Sequence, residues 1–376
     1  MSSTPVPSPS AAPSPPPYLT DSYIFHWDRR SFRADLIFVL PIALCLTVGI
    51  LIHHPSAGMI AAGGAMTAGF GAKQSIDDSR LLPMIFVTLG MTFAAFLGVF
   101  IGHGNLLLVF VTALWGFGYG MLTTREAGYS WVGQQCVVTF LVASAFPASF
   151  EAAAARALLI FAGGVIQLLI SSLLLRLFRQ LRTNLMQIAR YVRDEELAFR
   201  AALRNAAQTV REGSFVHSAI PYSLRLAVTL GLSTEIYHRL HFSSGYWIPM
   251  TALLVLKPSV ADTASRAVAR VLGTLAGAIL LSFCLAHISA APAELAVLTV
   301  LFAWLSYGTL NVNYALFTLF ITGYIVFLLS LNSVPGPVIA ERRAICTVIG
   351  GSLALFVRLI VIFRRRRLLM RSGITA

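Results

Sequence analysis

The sequence predicts an all-α, multi-pass membrane protein made of two tandem six-helix bundles, inserted in parallel and joined by a cytoplasmic helical linker. Three observations predict it. Hydrophobic residues make up 57% of the 376 positions and charged residues only 11%, with a mean hydropathy of +0.77. A soluble domain of this length cannot bury that much apolar surface. The apolar residues fall in runs of about 20, the length of a bilayer-crossing helix, without the alternation of a β-barrel. Finally, the chain repeats itself. KQSIDDSR at 73–80 and KPSVADTASR at 257–266 each follow an apolar run, open on one of the only two lysines, Lys73 and Lys257, and end in Ser-Arg. They lie 184 residues apart (257 minus 73). A second echo, RALLIFAGG at 156–164 and RAICTVIGG at 343–351, has nearly the same offset. Fixed-offset self-similarity marks a duplicated unit.

Residues 1–30 form the first element, a Pro- and Ser-rich cytoplasmic tail with neither the basic start nor the apolar stretch of a signal peptide, expected to be flexible. The first membrane repeat occupies 31–175, with spans at 34–53, 56–72, 81–102, 105–123, 131–149 and 152–175. Residues 176–220 form the linker, where Leu181, Leu185, Ile188, Val192, Glu195 and Phe199 make a heptad-like stripe that packs on its own bundle or dimerises. The second repeat, 221–363, has spans at 221–237, 246–257, 267–287, 292–310, 314–331 and 343–363, followed by a basic tail at 364–376.

Orientation follows from arginine and lysine. With the N-terminus inside, Arg29, Arg30, Arg33, Lys73, Arg80, Arg125, Lys257, Arg266, Arg270 and Arg364 to Arg367 face the cytoplasm, while the short outer loops of the first half carry no Lys or Arg. Both termini are therefore expected inside. Six spans per repeat is an even number, so both repeats enter in the same direction and a pseudo-two-fold axis should run along the membrane normal.

Composition and spacing also bear on function class. The formal charge of +13 is arginine set beside spans, which topology explains without nucleic acid. Cys45, Cys136, Cys284 and Cys346 sit singly in separate apolar runs and are expected to pack. No phosphate loop, metal-ligand cluster or nucleophile-base arrangement appears, so neither enzymatic chemistry nor a cofactor or metal is expected.

The candidate site residues are those the duplication would bring to one axis. The second span of each repeat is irregular: Gly58, Gly63, Gly64, Gly69 and Gly71 in one, Pro249 and Lys257-Pro258 in the other. Interrupted spans at matching positions point to a central solute site, although the glycines equally suit close helix packing. Lys73, Arg80, Lys257, Arg266 and Arg270 lie at inner helix ends and act either as topology anchors or as the lining of an anion vestibule. Arg156 and Arg343 lie about one turn inside the outer end of the sixth span, where a charge needs a partner or a water-filled path. An arginine fork matches a carboxylate. Asp78, Asp262 and Glu235 are the carboxylates nearest to spans and the candidates for coupling to protons, each equally suited to pairing with a neighbouring cation. Tyr246, Trp247, Tyr307 and Tyr314 stack on a ring or anchor the interface.

The stretch YWIPMTALLVLKPSVADTASRAVARVLGTLAGAIL, 246–280, resembles the signature of the fusaric acid resistance and aromatic acid exporter superfamily in Trp247, Thr251, Pro258-Ser259, Thr263, Arg266, Arg270, Gly273-Thr274 and Gly277. The first repeat keeps this pattern weakly, with no matching Trp and Gly90 as its best counterpart to Gly277. The resemblance implies a bacterial inner-membrane exporter of organic anions, especially aromatic carboxylic acids, driven by the proton gradient. A homo-oligomer or an accessory export protein stands as a candidate partner, and Trp247 and Thr251 of this stretch join the pathway candidates. A passive anion channel and a non-transporting scaffold remain open as alternatives.

Overall fold

The computed structural model describes residues 19–76, 79–103, 105–174, 219–240, 242, 244–287, 291–332 and 335–371. The heptad stripe of the linker and Asp78 lie outside them. A short helix α1 (Thr20–Tyr23) and a 3-10 turn (Trp27–Arg29) precede six helices of the first half: α2 (Phe32–Leu51), α3 (Pro55–Gly71), α4 (Leu81–Ile101), α5 (Asn105–Leu122), α6 (Ala127–Ser144) and α7 (Phe150–Leu174). The second half supplies α8 (Ile220–Arg239), α9 (Trp247–Val255), α10 (Val260–His287), α11 (Pro292–Thr309), α12 (Tyr314–Ser330) and α13 (Gly336–Arg371). The expected spans thus each coincide with a helix. Among the described residues there is no strand, only an isolated bridge between Ile76 and Ser79. Five helices are long and apolar enough to cross a membrane, with shorter apolar helices at Asp35–Leu51, Leu106–Leu122 and Tyr314–Ser330.

Exposure sorts the helices into two layers. On α2, Leu36, Leu40, Leu44 and Val48 recur every fourth residue and are all exposed, which is one face of a helix turned to lipid. The helices α4, α5, α7, α8, α10, α11 and α13 also expose large apolar side chains, whereas α3, α6, α9 and α12 expose none. The second and fifth helices of each half are therefore the inner layer. Their pairings recur: in both halves the second helix packs on the sixth and the third on the fifth.

Packing also crosses between the halves, which are not two separate bundles. The first helix of each half packs on the fourth of the other, α2 on α11 and α5 on α8. Trp304 on α11 donates its indole N–H to the Phe32 carbonyl at 2.8 Å, and the Tyr307 hydroxyl reaches the Met66 carbonyl at 2.7 Å.

The glycine pairs of the second echo have a physical role in this packing. A Cβ on Gly163 would lie 1.9 Å from the Ala61 carbonyl oxygen, and one on Gly350 would lie 2.5 Å from the Ile248 carbonyl oxygen. In each half, then, the first glycine lets the sixth helix approach the backbone of the second, as small residues do in membrane interfaces. Of the α3 glycines, Gly64 meets Ile160 on α7 in the same way, while Gly63 has nothing within 4 Å.

Residues 19–30, assigned by composition to the flexible tail, depart from that expectation. They are held by the helix ends beneath them: the His26 amide donates to the Val312 carbonyl at 2.9 Å and Asn313 Nδ2 to the Ile24 carbonyl at 2.8 Å. A composition-based boundary cannot register long-range hydrogen bonds of this kind.

Gly163→Val and Gly350→Val should each destabilise the protein by about 1–3 kcal/mol through overpacking, read as a lowered Tm in detergent, while Gly63→Ala should leave Tm unchanged. Equal losses at all three positions would contradict the close-approach account.

Candidate anion site

The α9 segment is the main irregularity among the buried helices. This helix has only nine residues, about 14 Å at 1.5 Å per residue, which is less than half of a bilayer core of about 30 Å. The chain then turns extended at Leu256 and stays non-helical to Ser259 before α10 begins. Free backbone groups at such depth must find partners, and these do. The Tyr222 hydroxyl donates to the Leu256 carbonyl at 2.9 Å. The Thr263 hydroxyl accepts from the Lys257 amide at 3.1 Å and donates to the Ser259 carbonyl at 2.7 Å. Arg358 on α13 donates to the Pro258 carbonyl. Thr263 in the repeated phrase is thus a backbone clamp.

A cavity of about 700 Å³ lies between the two halves, lined by the inner-layer helices together with residues of α4, α7, α10 and α13. It reaches from Ser56, Phe146 and Asn332 at one end of the bundle to Gln74, Lys257 and Asn311 at the other. Its cations are Arg156 from the first half and Lys257, Arg266, Arg270 and Arg343 from the second, and no Asp or Glu lines it among the described residues. The remaining lining includes Gln134, Gln135, Thr67, Trp131, Trp247 and Phe70.

Two of these arginines are deeply buried. Arg343 is 1% exposed; its guanidinium stacks on the Trp247 ring at 4.2 Å, and Nε donates to Thr322 Oγ1 at 3.1 Å. One terminal nitrogen, Nη1, has no partner. Arg270 is 4% exposed; it donates to the Tyr314 hydroxyl at 3.0 Å, and its Nε has no partner. A buried cation without a counter-charge costs several kcal/mol, so these guanidiniums mark where a water or an anion belongs.

Aromatic side chains extend both positions. Phe146 and Tyr246 ring centroids lie 6.0 Å apart and those of Tyr246 and Trp247 lie 4.9 Å apart. Arg156 donates to the Phe146 carbonyl at 2.5 Å. One aromatic row thereby links the two arginines of the second echo, which sit nearly two turns into α7 and α13 rather than one. At the other end the Arg266 guanidinium lies 3.9 Å from the Tyr314 ring centroid, within cation–π range.

Other expected residues lie elsewhere. Arg80 is exposed at the start of α4 and does not line the cavity. Thr251 is buried where α9 meets Gly350 of α13, and it too is outside the lining. Lys73 is turned away from it. Its ammonium meets Asp35 Oδ2 at 2.8 Å, Ser31 Oγ at 3.0 Å and the Tyr307 carbonyl at 2.6 Å. Burial pushes the Lys73 ammonium down from its usual pKa while Asp35 opposes that shift. Asp262 is exposed, and its amide is capped by Ser259 Oγ at 3.0 Å. Glu235 pairs with Arg239 one turn along α8 at 2.5 Å. Neither carboxylate lines the cavity. Of the expected aromatics, Tyr246, Trp247 and Tyr314 line it, whereas Tyr307 is a packing residue between the halves. Among the described residues no group of three His, Cys, Asp or Glu could hold a metal ion.

Asp35 escaped the sequence reading because it opens the first span, like any helix-end acid. The missed signal is its pairing with Lys73, 38 residues on. The pair is closely buried, Asp35 at 2% and Lys73 at 11%. Breaking it by Lys73→Met should cost about 3–5 kcal/mol and reduce folded yield, because an unpaired buried carboxylate remains. Adding Asp35→Asn should restore most of the loss in a thermal melt; a harmless Lys73→Met would overturn this assignment.

Comparison with known proteins bears on the second half above all. Residues 232–357, about a third of the chain, match the family model described as fusaric acid resistance protein-like. An uncharacterized protein of Synechocystis sp. is 32% identical over 147 residues, 38% of this chain and 19% of its own length. The uncharacterized protein ORF2 of Neisseria gonorrhoeae is 29% identical over 157 residues, 41% of this chain and 37% of its own length. The chain thus spans well under half the length of these curated relatives. No solved structure matches it. Residues 232–357, which contain α9 and both buried arginines, therefore carry the fusaric acid resistance protein-like pattern that the stretch at 246–280 resembles.

Proposed function

We propose that the protein moves organic anions through the cavity between its halves, as an exporter in a bacterial inner membrane with both termini in the cytoplasm. The observation that carries this reading is the pair Arg270 and Arg343, buried in a roomy cavity, each with an unpartnered guanidinium nitrogen and no acidic neighbour in the described lining. A cavity of about 700 Å³ lies within the size range of small-molecule sites. Its chemistry favours a planar carboxylate: a guanidinium fork for the charge and the Trp247, Tyr246 and Tyr314 rings for an aromatic body. The family pattern over 232–357 supports a transport role.

The cations are unevenly shared. Among the described lining residues the second half contributes Lys257, Arg266, Arg270 and Arg343 and the first half Arg156, beside neutral Gln, Thr and aromatic residues. The solute in this reading is held on one wall and slides along the other, while the recurring helix pairs allow the halves to rock about their shared α2–α11 and α5–α8 contacts. A passive channel is the second reading, favoured by the lack of a carboxylate to carry a proton in the described lining.

Benzoate flux from proteoliposomes tests the proposal. Arg270→Gln and Arg343→Gln should each slow flux roughly tenfold with normal insertion, as expected for losing a charged hydrogen bond of about 1.5–3 kcal/mol; Arg80→Gln should not change it. Wild-type flux in both glutamine variants would remove the arginines from the pathway. Uphill movement abolished by collapsing the proton gradient assigns an exporter; currents that follow only the benzoate gradient assign a channel.

A further inference from the structure

Residues 19–30 lie beside the end of the cavity near Lys257, Arg266 and Asn311, bonded to residues in or next to its lining. Asp21 at the start of α1 donates its amide to Ser265 Oγ at 3.1 Å, and its carboxylate Oδ2 lies 3.7 Å from Arg266 Nη1. The strap then attaches to Val312 and Asn313 through His26 and Ile24. These seats flank Arg266, Asn311 and Tyr314, all lining residues. The strap brings the nearest acid to a cavity that otherwise offers only cations among the described lining, and it brings it to the mouth.

We propose that residues 19–30 form a lid on this mouth, latched by Asp21 on Arg266, so that the chain's own carboxylate holds the position a solute anion must take to enter. The inference rests on the cavity being an anion pathway. Three features separate a latch from a permanent anchor. The ion pair is long, against about 2.7–2.9 Å for a tight charged hydrogen bond, and about one third exposed on both sides, so it is weak and displaceable. The strap contributes no residue to the buried core, and Tyr23, Phe25 and Trp27 are about half exposed, which marks a segment that opens locally before the helices do. Arg266 already lies against the Tyr314 ring, so an aromatic carboxylate arriving from the cavity would meet both the charge and the ring that Asp21 only half satisfies.

The test reads access to the mouth and needs no transport. In the full-length chain carrying Gln74→Cys, a lining position near this mouth, labelling by a bulky polyethylene-glycol maleimide in nanodiscs is timed above the native-cysteine background. Asp21→Asn should speed labelling roughly two- to fivefold, the range of an exposed ion pair, and Asp21→Glu should keep the parent rate. Salt at about 1 M, where screening acts within about 3 Å, should speed the parent and leave Asp21→Asn unchanged. Equal rates for the parent and Asp21→Asn would overturn the lid and make the strap a mere anchor. Labelling is independent of flux, so the two failures are told apart: equal labelling rates beside arginine-dependent flux sink the lid alone, whereas wild-type flux in both arginine variants sinks the pathway reading on which the latch rests, whatever the labelling rates.

Discussion

Everything in this architecture depends on guanidinium groups held inside the bundle without carboxylates of their own. Burying one cation unpaired costs several kcal/mol, and here Arg270 and Arg343 are both buried with a nitrogen left over. Neighbours supply partial compensation, namely the Trp247 face, the Thr322 hydroxyl and the Tyr314 hydroxyl, and in the proposed reading the solute supplies the rest. By contrast, where the fold needs a cation only for structure, at Lys73, it provides Asp35 at 2.8 Å and a carbonyl besides. The difference between these two environments is the clearest statement of which charges hold the bundle together and which remain available.

The same contrast explains the short α9. A complete helix there would satisfy its own backbone groups within the helix. Stopping at Val255 and running non-helical to Ser259 places Lys257 at the cavity, at the cost of backbone groups that Tyr222, Thr263 and Arg358 must satisfy. The partners come from α8, α10 and α13, so the break is tied to the second half's helix packing rather than being a local irregularity.

Much of this was legible in the sequence, and the limits have physical causes. The spans were readable because bilayer thickness fixes helix length, and the Gly-Gly echo was readable because backbone approach excludes a side chain, as Gly163 and Gly350 show. The duplicated lysine phrase was readable as a repeat but not as a division of labour. Lys73 and Lys257 occupy like positions in sequence, yet one meets a carboxylate 38 residues before it and the other has none within ion-pairing distance among the described residues. Burial of Asp35 depends on α11 from the other half lying over it, and no window along the chain contains that contact. The seating of residues 19–30 was hidden for the same reason: its partners, Ser265, Val312 and Asn313, are more than 200 residues away.

The most direct test of the central claim is an experimental density map of the protein in nanodiscs with 4-bromobenzoate added. The account predicts a bound anion in the cavity, its carboxylate within hydrogen-bonding distance of Arg270 or Arg343 and its ring near Trp247 or Tyr314. A cavity filled by lipid chains, or either guanidinium paired with a carboxylate of the protein itself, would contradict it.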